Sequence, residues 1–421
     1  MTPAQQIAVA QEFQSLTDEQ QKDILFNRGF TNNQLRRNFL ESLAIGRYTG
    51  GAILPGDKLS RRASQVQGAT VFNYDLKLDF DTSFTGKDLF RTRLRSGNFK
   101  SGNGAFGGTA VGLNALEVAF EEDSGADSIE VNRLFYQFPL GSSFTATIGG
   151  RVRQDDMLAV WPSAYPADTV LDIFTYAGAP GTYSLNLGGG GGLWWKSGGF
   201  SISANYVSAN AGTGAPNLEF EECGGIGTDC SAQTGTAQLA YAGDNWGIAA
   251  AYTYTQGNGI AGLYRGNGTP LAVTMSDLSD DMNSVGVSAW WQPEWSSWFP
   301  GISVGWGLNS HNSDTFDAVD GADTQSWYVG LQWTDVFWQG NDFGMAVGQP
   351  TFLTSSGDDD LLKADDGQYA WEWWYKFQVT DNISVTPALY YLSAPYGQLQ
   401  KTGGDDTFTN FGGLVKTTFR F

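Results

Sequence analysis

Short runs in which polar and apolar residues alternate fill this sequence from about residue 69 to residue 421, and no other feature constrains the fold as much. In the run 74–81, every even-numbered residue is Tyr, Leu or Phe, and every odd-numbered residue is Asp or Lys. Successive side chains of a β-strand point to opposite faces, so a period of two predicts strands with one apolar and one polar face. We therefore predict an all-β fold.

The alternating runs define sixteen candidate strands, an even number that suits a closed antiparallel barrel. From the fourth strand onward, short and long connections alternate, as in barrels with tight turns on one side of a membrane and long loops on the other. The linker 98–112 is too long for this alternation, and the turn after Phe84 is too short. The candidate strands are 69–82, 87–97, 113–121, 128–138, 142–151, 186–196, 199–208, 233–242, 245–255, 283–293, 300–310, 325–334, 342–350, 368–378, 381–392 and 410–421.

The composition of the two strand faces indicates which solvent surrounds the sheet. The apolar faces are large and aromatic, and many of the 15 Trp residues lie near strand ends, where a membrane barrel carries an aromatic girdle. The mean hydropathy of -0.26 does not oppose a membrane location, because a barrel hides roughly half of its strand residues from lipid. We predict a transmembrane antiparallel β-barrel. The alternative is a soluble β-sandwich binding protein, whose strands also alternate.

Residues 1–65 have a different character, because they contain no Trp and include two capping-box spacings, which begin at Thr17 and Thr31. We predict a short helical N-terminal segment at 1–65, followed by an outer-membrane barrel domain at 66–421. The first residues lack a basic start followed by an unbroken apolar run, so the sequence shows no secretory signal.

One long connection, from Arg151 to Asn186, interrupts the strand pattern and is nevertheless rich in large apolar side chains. Such side chains need a place to pack, which argues against a disordered loop. We predict that this segment folds into the barrel and constricts its bore. On the count of sixteen strands, residues 152–185 join the fifth and sixth strands.

Charged residues on one face of the first two strands and on the inserted segment are candidates for the pore lining. Three arginines at alternate positions form a ladder beside the acidic positions of the preceding strand. A basic wall opposite an acidic segment would orient a charged solute at a constriction, whereas the alternative is that these charges are simply solvated in a wide lumen. The candidates are Asp75, Lys77, Asp79, Asp81, Arg91, Arg93, Arg95, Arg151, Arg153, Asp155, Asp156, Asp168 and Asp172.

Charge and residue usage narrow the classes of function. The net charge of -20 disfavours nucleic acid as a partner and favours cationic or neutral solutes. An outer-membrane hydrolase is a rival, but the single imidazole, His311, falls in a predicted external loop, so we predict no enzyme, no catalytic site and no cofactor. The acidic loop clusters lack the spacing of a calcium loop and predict no specific metal site.

The two cysteines, Cys223 and Cys230, frame a short Gly-rich loop. A pair at this spacing suits a disulfide in an oxidising compartment. We predict the disulfide, with two free thiols as the alternative.

Three stretches of the sequence resemble one family, the cyanobacterial outer-membrane porins of the iron uptake type, which are relatives of the carbohydrate-selective porin superfamily. They are FNYDLKLDFDTSFTGKDLFRTRLRSGNF at 72–99, RLFYQFPLGSSFTATIGGRVRQDDMLAVWPS at 133–163 and the terminal KTTFRF. The last of these is similar to the carboxy-terminal signal that the bacterial barrel-assembly machinery reads. Family members usually carry a surface-layer-homology domain ahead of the barrel, and residues 1–65 show no copy of it.

The resemblance implies an outer-membrane barrel, a homotrimer, and contact with outer-membrane lipid and lipopolysaccharide. It also implies passive diffusion of small ions and inorganic solutes, with iron and other cations among them. Selectivity for carbohydrates is the alternative function within the same superfamily.

Overall fold

The alternating runs form the strands of one sheet. The structure is a computed structural model that describes residues 69–99, 111–120, 124–166, 169–216, 223–257, 261–264, 266–294, 298–357, 365–402 and 407–421. Within these residues there are fifteen strands, each hydrogen-bonded and antiparallel to the next in chain order. The prediction of an all-β, antiparallel fold is therefore confirmed, whereas the predicted helical segment at 1–65 lies outside the described residues.

The strands are β1 (Asp75–Thr82), β2 (Leu89–Gly97), β3 (Glu130–Leu140), β4 (Phe144–Arg153), β5 (Leu187–Ser197), β6 (Phe200–Ser208), β7 (Gln233–Ala242), β8 (Trp246–Gln256), β9 (Asp281–Trp291), β10 (Gly301–Asn312), β11 (Ala322–Trp333), β12 (Asp342–Ser355), β13 (Ala370–Thr380), β14 (Ile383–Leu392) and β15 (Asn410–Phe419). The helices are α1 (Pro270–Leu278) and α2 (Gln398–Thr402), with short 3-10 helices at Gly112–Asn114, Gln154–Met157 and Asp172–Thr175. No helix in the described part of the chain is long and apolar enough to cross a membrane.

The third predicted strand, 113–121, is wrong. This stretch begins in the 3-10 helix Gly112–Asn114, its Leu113 and Leu116 are buried, and Leu116 forms an isolated bridge with Leu171. The reason is that its apolar residues pack against the segment inserted between β4 and β5, rather than on a face of the sheet. Consequently the inserted segment follows the fourth strand of the sheet and not the fifth.

Without that strand, the connections alternate regularly along the whole sheet. The connections 83–88, 141–143, 198–199, 243–245, 292–300, 334–341 and 381–382 lie at one end, which we call the turn end. The other end of the sheet, which we call the loop end, carries connections that are each at least as long as the turn-end connection before them. They are 98–129, 154–186, 209–232, 257–280, 313–321, 356–369 and 393–409. Strands β1 and β15 both run toward the turn end, so antiparallel closure of the sheet requires one further strand between them.

The two faces of the sheet are opposite in character to those of a soluble protein. The outward face carries apolar side chains, of which Val415 is 69% exposed, whereas the inward face carries buried polar side chains, of which Ser203 is 1% exposed. A soluble β-sandwich buries the apolar faces of its strands between two sheets. This single sheet turns its apolar face outward, so the soluble alternative is excluded.

The prediction that His311 lies in an external loop is wrong. The residue lies in β10, fully buried, with Nδ1 2.9 Å from Ser279 Oγ and Nε2 3.0 Å from Thr324 Oγ1. Both ring nitrogens thus form hydrogen bonds with hydroxyl groups, one at the C-terminal end of α1 and one on β11. The side chain therefore fixes the end of α1 against the sheet.

Candidate functional site in the lumen

The connection between β4 and β5, residues 154–186, folds onto the inward face of the sheet, and we call it the luminal segment. Its large side chains are buried there, and they extend a hydrophobic cluster that also includes residues of β11 to β14. The largest of them are Tyr165, Leu171, Phe174, Tyr176 and Tyr183. The segment is therefore part of the folded interior and fills much of the bore.

Backbone groups of the luminal segment bind hydroxyl groups on the inward face of β6 and β8. The amide of Ala159 donates to Ser203 Oγ at 2.9 Å. The hydroxyl of Thr253 donates to the carbonyl oxygen of Thr182 at 2.7 Å. Small polar side chains at inward strand positions thus supply hydrogen-bond partners to the backbone of the luminal segment, which forms no strand of its own.

The same pattern continues on β10 and β11. Ser303 Oγ accepts from the amides of Ala164 and Tyr165, both at 3.0 Å. Ser326 Oγ donates to the carbonyl oxygen of Gly178 at 2.8 Å. The luminal segment therefore crosses the interior and is tied to strands on its far side.

Glu372 on β13 is the anchor at the far wall. Its buried carboxylate accepts from the Tyr165 hydroxyl at 2.8 Å and from the Leu171 amide at 2.7 Å. The Trp374 indole Nε1 donates in turn to the Tyr165 hydroxyl at 2.9 Å. A buried carboxylate needs such donors, so Glu372 and Tyr165 fix each other's position.

Replacing Tyr165 by Phe should lower the free energy of unfolding by about 1–3 kcal/mol, because the Glu372 carboxylate and the Trp374 indole N–H both lose their shared partner. The measurement is the thermal unfolding midpoint in detergent. Tyr252→Phe is the matched control, since the Tyr252 hydroxyl donates to Asn283 Oδ1 at 2.6 Å on the exposed outer face. Equal shifts for the two variants would contradict an anchoring role for Tyr165.

Glycines on the inward face leave room for the luminal segment. A Cβ on Gly305 would lie 1.8 Å from the carbonyl oxygen of Ala177, and a Cβ on Gly307 would lie 2.8 Å from the Cα of Ala179. Any side chain on the strand would occupy the space that the segment's backbone uses.

A ladder of ion pairs lies on the inward face of β1 and β2, and we call it the charged wall. Each arginine directs two hydrogen bonds to one carboxylate, the bidentate geometry that makes such pairs strong and specific. The pairs are Arg91 with Asp81 at 2.6 Å, Arg93 with Asp79 at 2.7 Å, Arg95 with Asp75 at 2.7 Å and Lys77 with Asp75 at 3.2 Å.

The charged wall is open toward the turn end and covered toward the loop end. The Arg91 side chain is 27% exposed, whereas that of Arg95 is 10% exposed. The Arg95 guanidinium lies 3.6 Å from the ring centroid of Phe120, a residue of the connection between β2 and β3. Solvent and solutes therefore meet the part of the wall around Arg91 and Arg93.

The acidic start of the luminal segment faces arginines, although not those of the ladder. Asp156 pairs with Arg133 of β3 at 2.7 Å, and Asp155 pairs with Arg153 of β4 at 2.5 Å. Arg133 was not among the candidates from the sequence. Its position could have been found from the period of two alone, which places Arg133 on the same face as Gln137, whose amide contacts Asp156.

The remaining candidates lie apart from the ladder. Asp172 is buried, and this burial raises its pKa well above the usual range, although the carboxylate accepts from the Tyr176 hydroxyl at 3.2 Å and from the Tyr264 hydroxyl. Arg151 lies on β4, and its buried Nε has no hydrogen-bond partner among the described residues. Asp168 lies outside the described residues.

The structure joins Cys223 and Cys230 by a disulfide in the connection between β6 and β7. In the part of the chain that the structure describes, no group of three or more His, Cys, Asp or Glu side chains is arranged to hold a metal ion.

Comparisons with known proteins agree with this architecture. The family model described as carbohydrate-selective porin, OprB family, matches residues 54–421. An uncharacterized protein of Synechocystis sp. is 28% identical over 389 residues, which cover 87% of this chain and 66% of the relative. An uncharacterized protein of Nostoc sp. is 28% identical over 385 residues, which cover 84% of this chain and 61% of the relative. The chain thus spans about two thirds of the length of these curated relatives.

Among solved structures, a high-pH structure of Pseudomonas putida OprB has a TM-score of 0.53 and 15% sequence identity. The match covers 82% of this chain and 87% of that chain. At this identity the similarity shows the fold alone.

Proposed function

Because this chain belongs to the OprB family of carbohydrate-selective porins and is a bacterial outer-membrane protein, we propose that it is a passive diffusion channel for small ions and inorganic solutes. Proteins of this family are channels rather than enzymes. Iron and other cations are among the solutes we assign to it, since the net charge of -20 attracts cations to the protein.

One observation supports ions over sugars, namely which luminal side chains reach water. The accessible side chains include the ion pairs of the charged wall around Arg91 and Arg93, where the Asp81 side chain is 42% exposed. The aromatic rings of the luminal segment, such as Tyr176 and Tyr183, are buried in the interior. A sugar ring would need an accessible aromatic face to pack against, whereas an ion needs water and charge.

Carbohydrate transport is the second candidate, and the description of the matched family favours it. The two functions predict different measurements on the purified protein. An ion channel should give stable conductance steps in planar bilayers bathed in KCl, while proteoliposomes should swell slowly in glucose and more slowly in disaccharides. Fast sugar-driven swelling, together with block of the KCl current by the same sugar, would replace ions with carbohydrates as the proposed solute.

The exposed outer face supports a set of proposed partners. The apolar band, with Val415 and Phe419 on the last strand, suits outer-membrane lipid and lipopolysaccharide. The same terminal strand is proposed to engage the barrel-assembly machinery, and two further copies of the chain are proposed to complete a homotrimer. Native mass spectrometry in detergent tests the trimer.

A further inference from the structure

Two short helices at the loop end, α1 and α2, pack against the luminal segment, and together we call them the lid. Residues 270–276 of α1 are buried, although the helix belongs to a connection and not to the sheet. Leu271 of α1 shares one hydrophobic cluster with Leu399 of α2 and with Leu171 of the luminal segment. The lid therefore lies inside the loop end and covers the luminal segment there.

One buried carboxyl group, that of Asp366, joins both helices of the lid to the sheet. Its Oδ1 accepts from the Gln398 amide at the start of α2 at 2.9 Å, and its Oδ2 accepts from the Leu353 amide of β12 at 3.0 Å. Oδ2 also accepts from the hydroxyl of Thr269, the N-cap residue of α1. Because Asp366 is 0% exposed, three elements meet at one carboxyl group that water does not reach.

Backbone hydrogen bonds complete the joint between α1 and β12. The amide of Thr269 donates to the carbonyl oxygen of Thr351 at 2.8 Å, and the amide of Thr351 donates to the carbonyl oxygen of Asn267 at 3.0 Å. These amides do not change their charge with pH. At this joint, Asp366 is therefore the group whose charge can change.

We propose that Asp366 is a pH-sensitive latch, which holds α1 and α2 against β12 when it is protonated and loosens them when it is ionised. A protonated carboxyl group keeps its bonds at this joint, because its oxygens still accept from the two amides while its own proton goes to the Thr269 hydroxyl. An ionised carboxylate has to stay out of water to keep the lid docked, which is costly. The proposal rests on the proposed channel function for its consequence, namely that a loosened lid passes more current.

The surroundings of Asp366 favour its neutral form. The residue belongs to the connection between β12 and β13, and burial raises its pKa to about 6, against the opposing effect of its hydrogen bonds. The neighbouring Asp365 carboxylate also raises this pKa. The stretches that supply the donors, 269–273, 349–355 and 396–400, contain no charged residue.

The docked state of the lid is most stable at acid pH. When the lid loosens, the carboxyl group returns to water and to its ordinary pKa of 3.8. Because the pKa is higher in the docked state, docking is fully stabilised below about pH 3.8 and weakens as the pH rises through about 6. The ratio of loosened to docked lid should therefore rise about tenfold between pH 5 and pH 8.

Labelling of a thiol inside the lid measures this movement without any current. Both cysteines of the chain form the disulfide, so Ser276→Cys supplies one free thiol. Ser276 is buried in α1 about two turns after Thr269, and the substitution keeps its shape. Each rate of labelling by a charged thiol reagent is divided by the rate for Ser276→Cys combined with Asp366→Asn. We expect this ratio to be about tenfold higher at pH 8 than at pH 5.

The Asp366→Asn background is the matched reference, because asparagine has no proton to lose at this joint. The ionisation of the introduced thiol and any titration of His311 are the same in both backgrounds, so they cancel in the ratio of rates. A ratio that does not change between pH 5 and pH 8 would overturn the latch.

Thr269→Val decides the matter if Asp366→Asn does not give the heat-modifiable gel band of a folded barrel. It removes the hydroxyl donor of Asp366 and should speed the labelling of Ser276→Cys about threefold or more at pH 8, and less at pH 5, because an ionised acceptor loses the stronger bond. Thr274→Val is the control, since the Thr274 hydroxyl donates to the carbonyl oxygen of Pro270 within α1 at 2.7 Å. Equal rates for the two valine variants at pH 8 would remove the latch from the joint at Asp366.

A KCl current in planar bilayers connects the lid with transport. We expect the mean current of the unaltered protein to be larger at pH 8 than at pH 5, and this difference to be lost in Asp366→Asn. Absence of any KCl current would overturn the channel function and leave the labelling result standing. A current that is equal at both pH values, beside labelling that depends on pH, would show that the lid moves without controlling the current.

Discussion

Neutralising the arginines of the charged wall should make the channel strongly more selective for cations. With Arg91, Arg93 and Arg95 replaced by Gln, the K⁺ to Cl⁻ permeability ratio is expected to rise about threefold or more. The reason is that each guanidinium is the bidentate partner of one aspartate. Loss of Arg91 and Arg93 leaves the Asp81 and Asp79 carboxylates without these partners in the lumen, whereas Asp75 keeps Lys77. The measurement is the reversal potential in a planar bilayer under a KCl gradient.

The three pairs differ in burial, and this difference gives the experiment a safeguard. Arg95 and Asp75 are largely covered, and removing one partner of a buried pair costs about 3–5 kcal/mol, so the triple variant also weakens the fold. A double variant, Arg91→Gln with Arg93→Gln, changes only the exposed part of the wall. Its reversal potential should move in the same direction with a smaller loss of stability.

Two control variants test whether the effect belongs to these arginines. Lys87→Gln removes one positive charge from an exposed turn and should leave the reversal potential unchanged. Asp79→Asn with Asp81→Asn removes the opposite sign from the wall and should shift the potential toward anions. If the arginine variants and Lys87→Gln gave the same potential, the charged wall would not determine selectivity.

The strands and the ladder could be predicted because both depend on local sequence. A period of two fixes which residues share a face, and the short turn 83–88 brings β1 and β2 into register, so Asp79 faces Arg93. At residues 113–121 the period of two predicted a strand that the structure does not contain. Alternation cannot distinguish a strand in a sheet from an extended segment that packs its apolar residues against the interior.

The path of the luminal segment could not be read from the sequence, because its contacts join residues that are far apart in the chain. The Tyr165 hydroxyl bonds with a carboxylate 207 residues away on β13, and no local pattern marks that pair. Asp172 illustrates the same limit. Its sequence suggested a charge facing arginines, yet its hydrogen bonds come from the tyrosines Tyr176 and Tyr264.

Filling the space at Gly305 should widen the channel. A Cβ there would lie 1.8 Å from the carbonyl oxygen of Ala177, so Gly305→Ala forces the luminal segment away from β10. We expect single-channel conductance to rise roughly twofold or more, because the displaced segment no longer fills the bore. The strain and lost contacts should lower the free energy of unfolding by about 1–3 kcal/mol.

The same strand supplies the matched control for this change. Gly301 also lies on β10, four residues earlier on the same face, but the nearest atom to its added Cβ is 3.5 Å away, which is ordinary contact. Gly301→Ala should therefore keep both the conductance and the unfolding midpoint of the unaltered protein. A Gly305→Ala channel with unaltered conductance but a lowered unfolding midpoint would contradict this prediction. The luminal segment would then stabilise the barrel without limiting its current, and the constriction would lie along the charged wall instead.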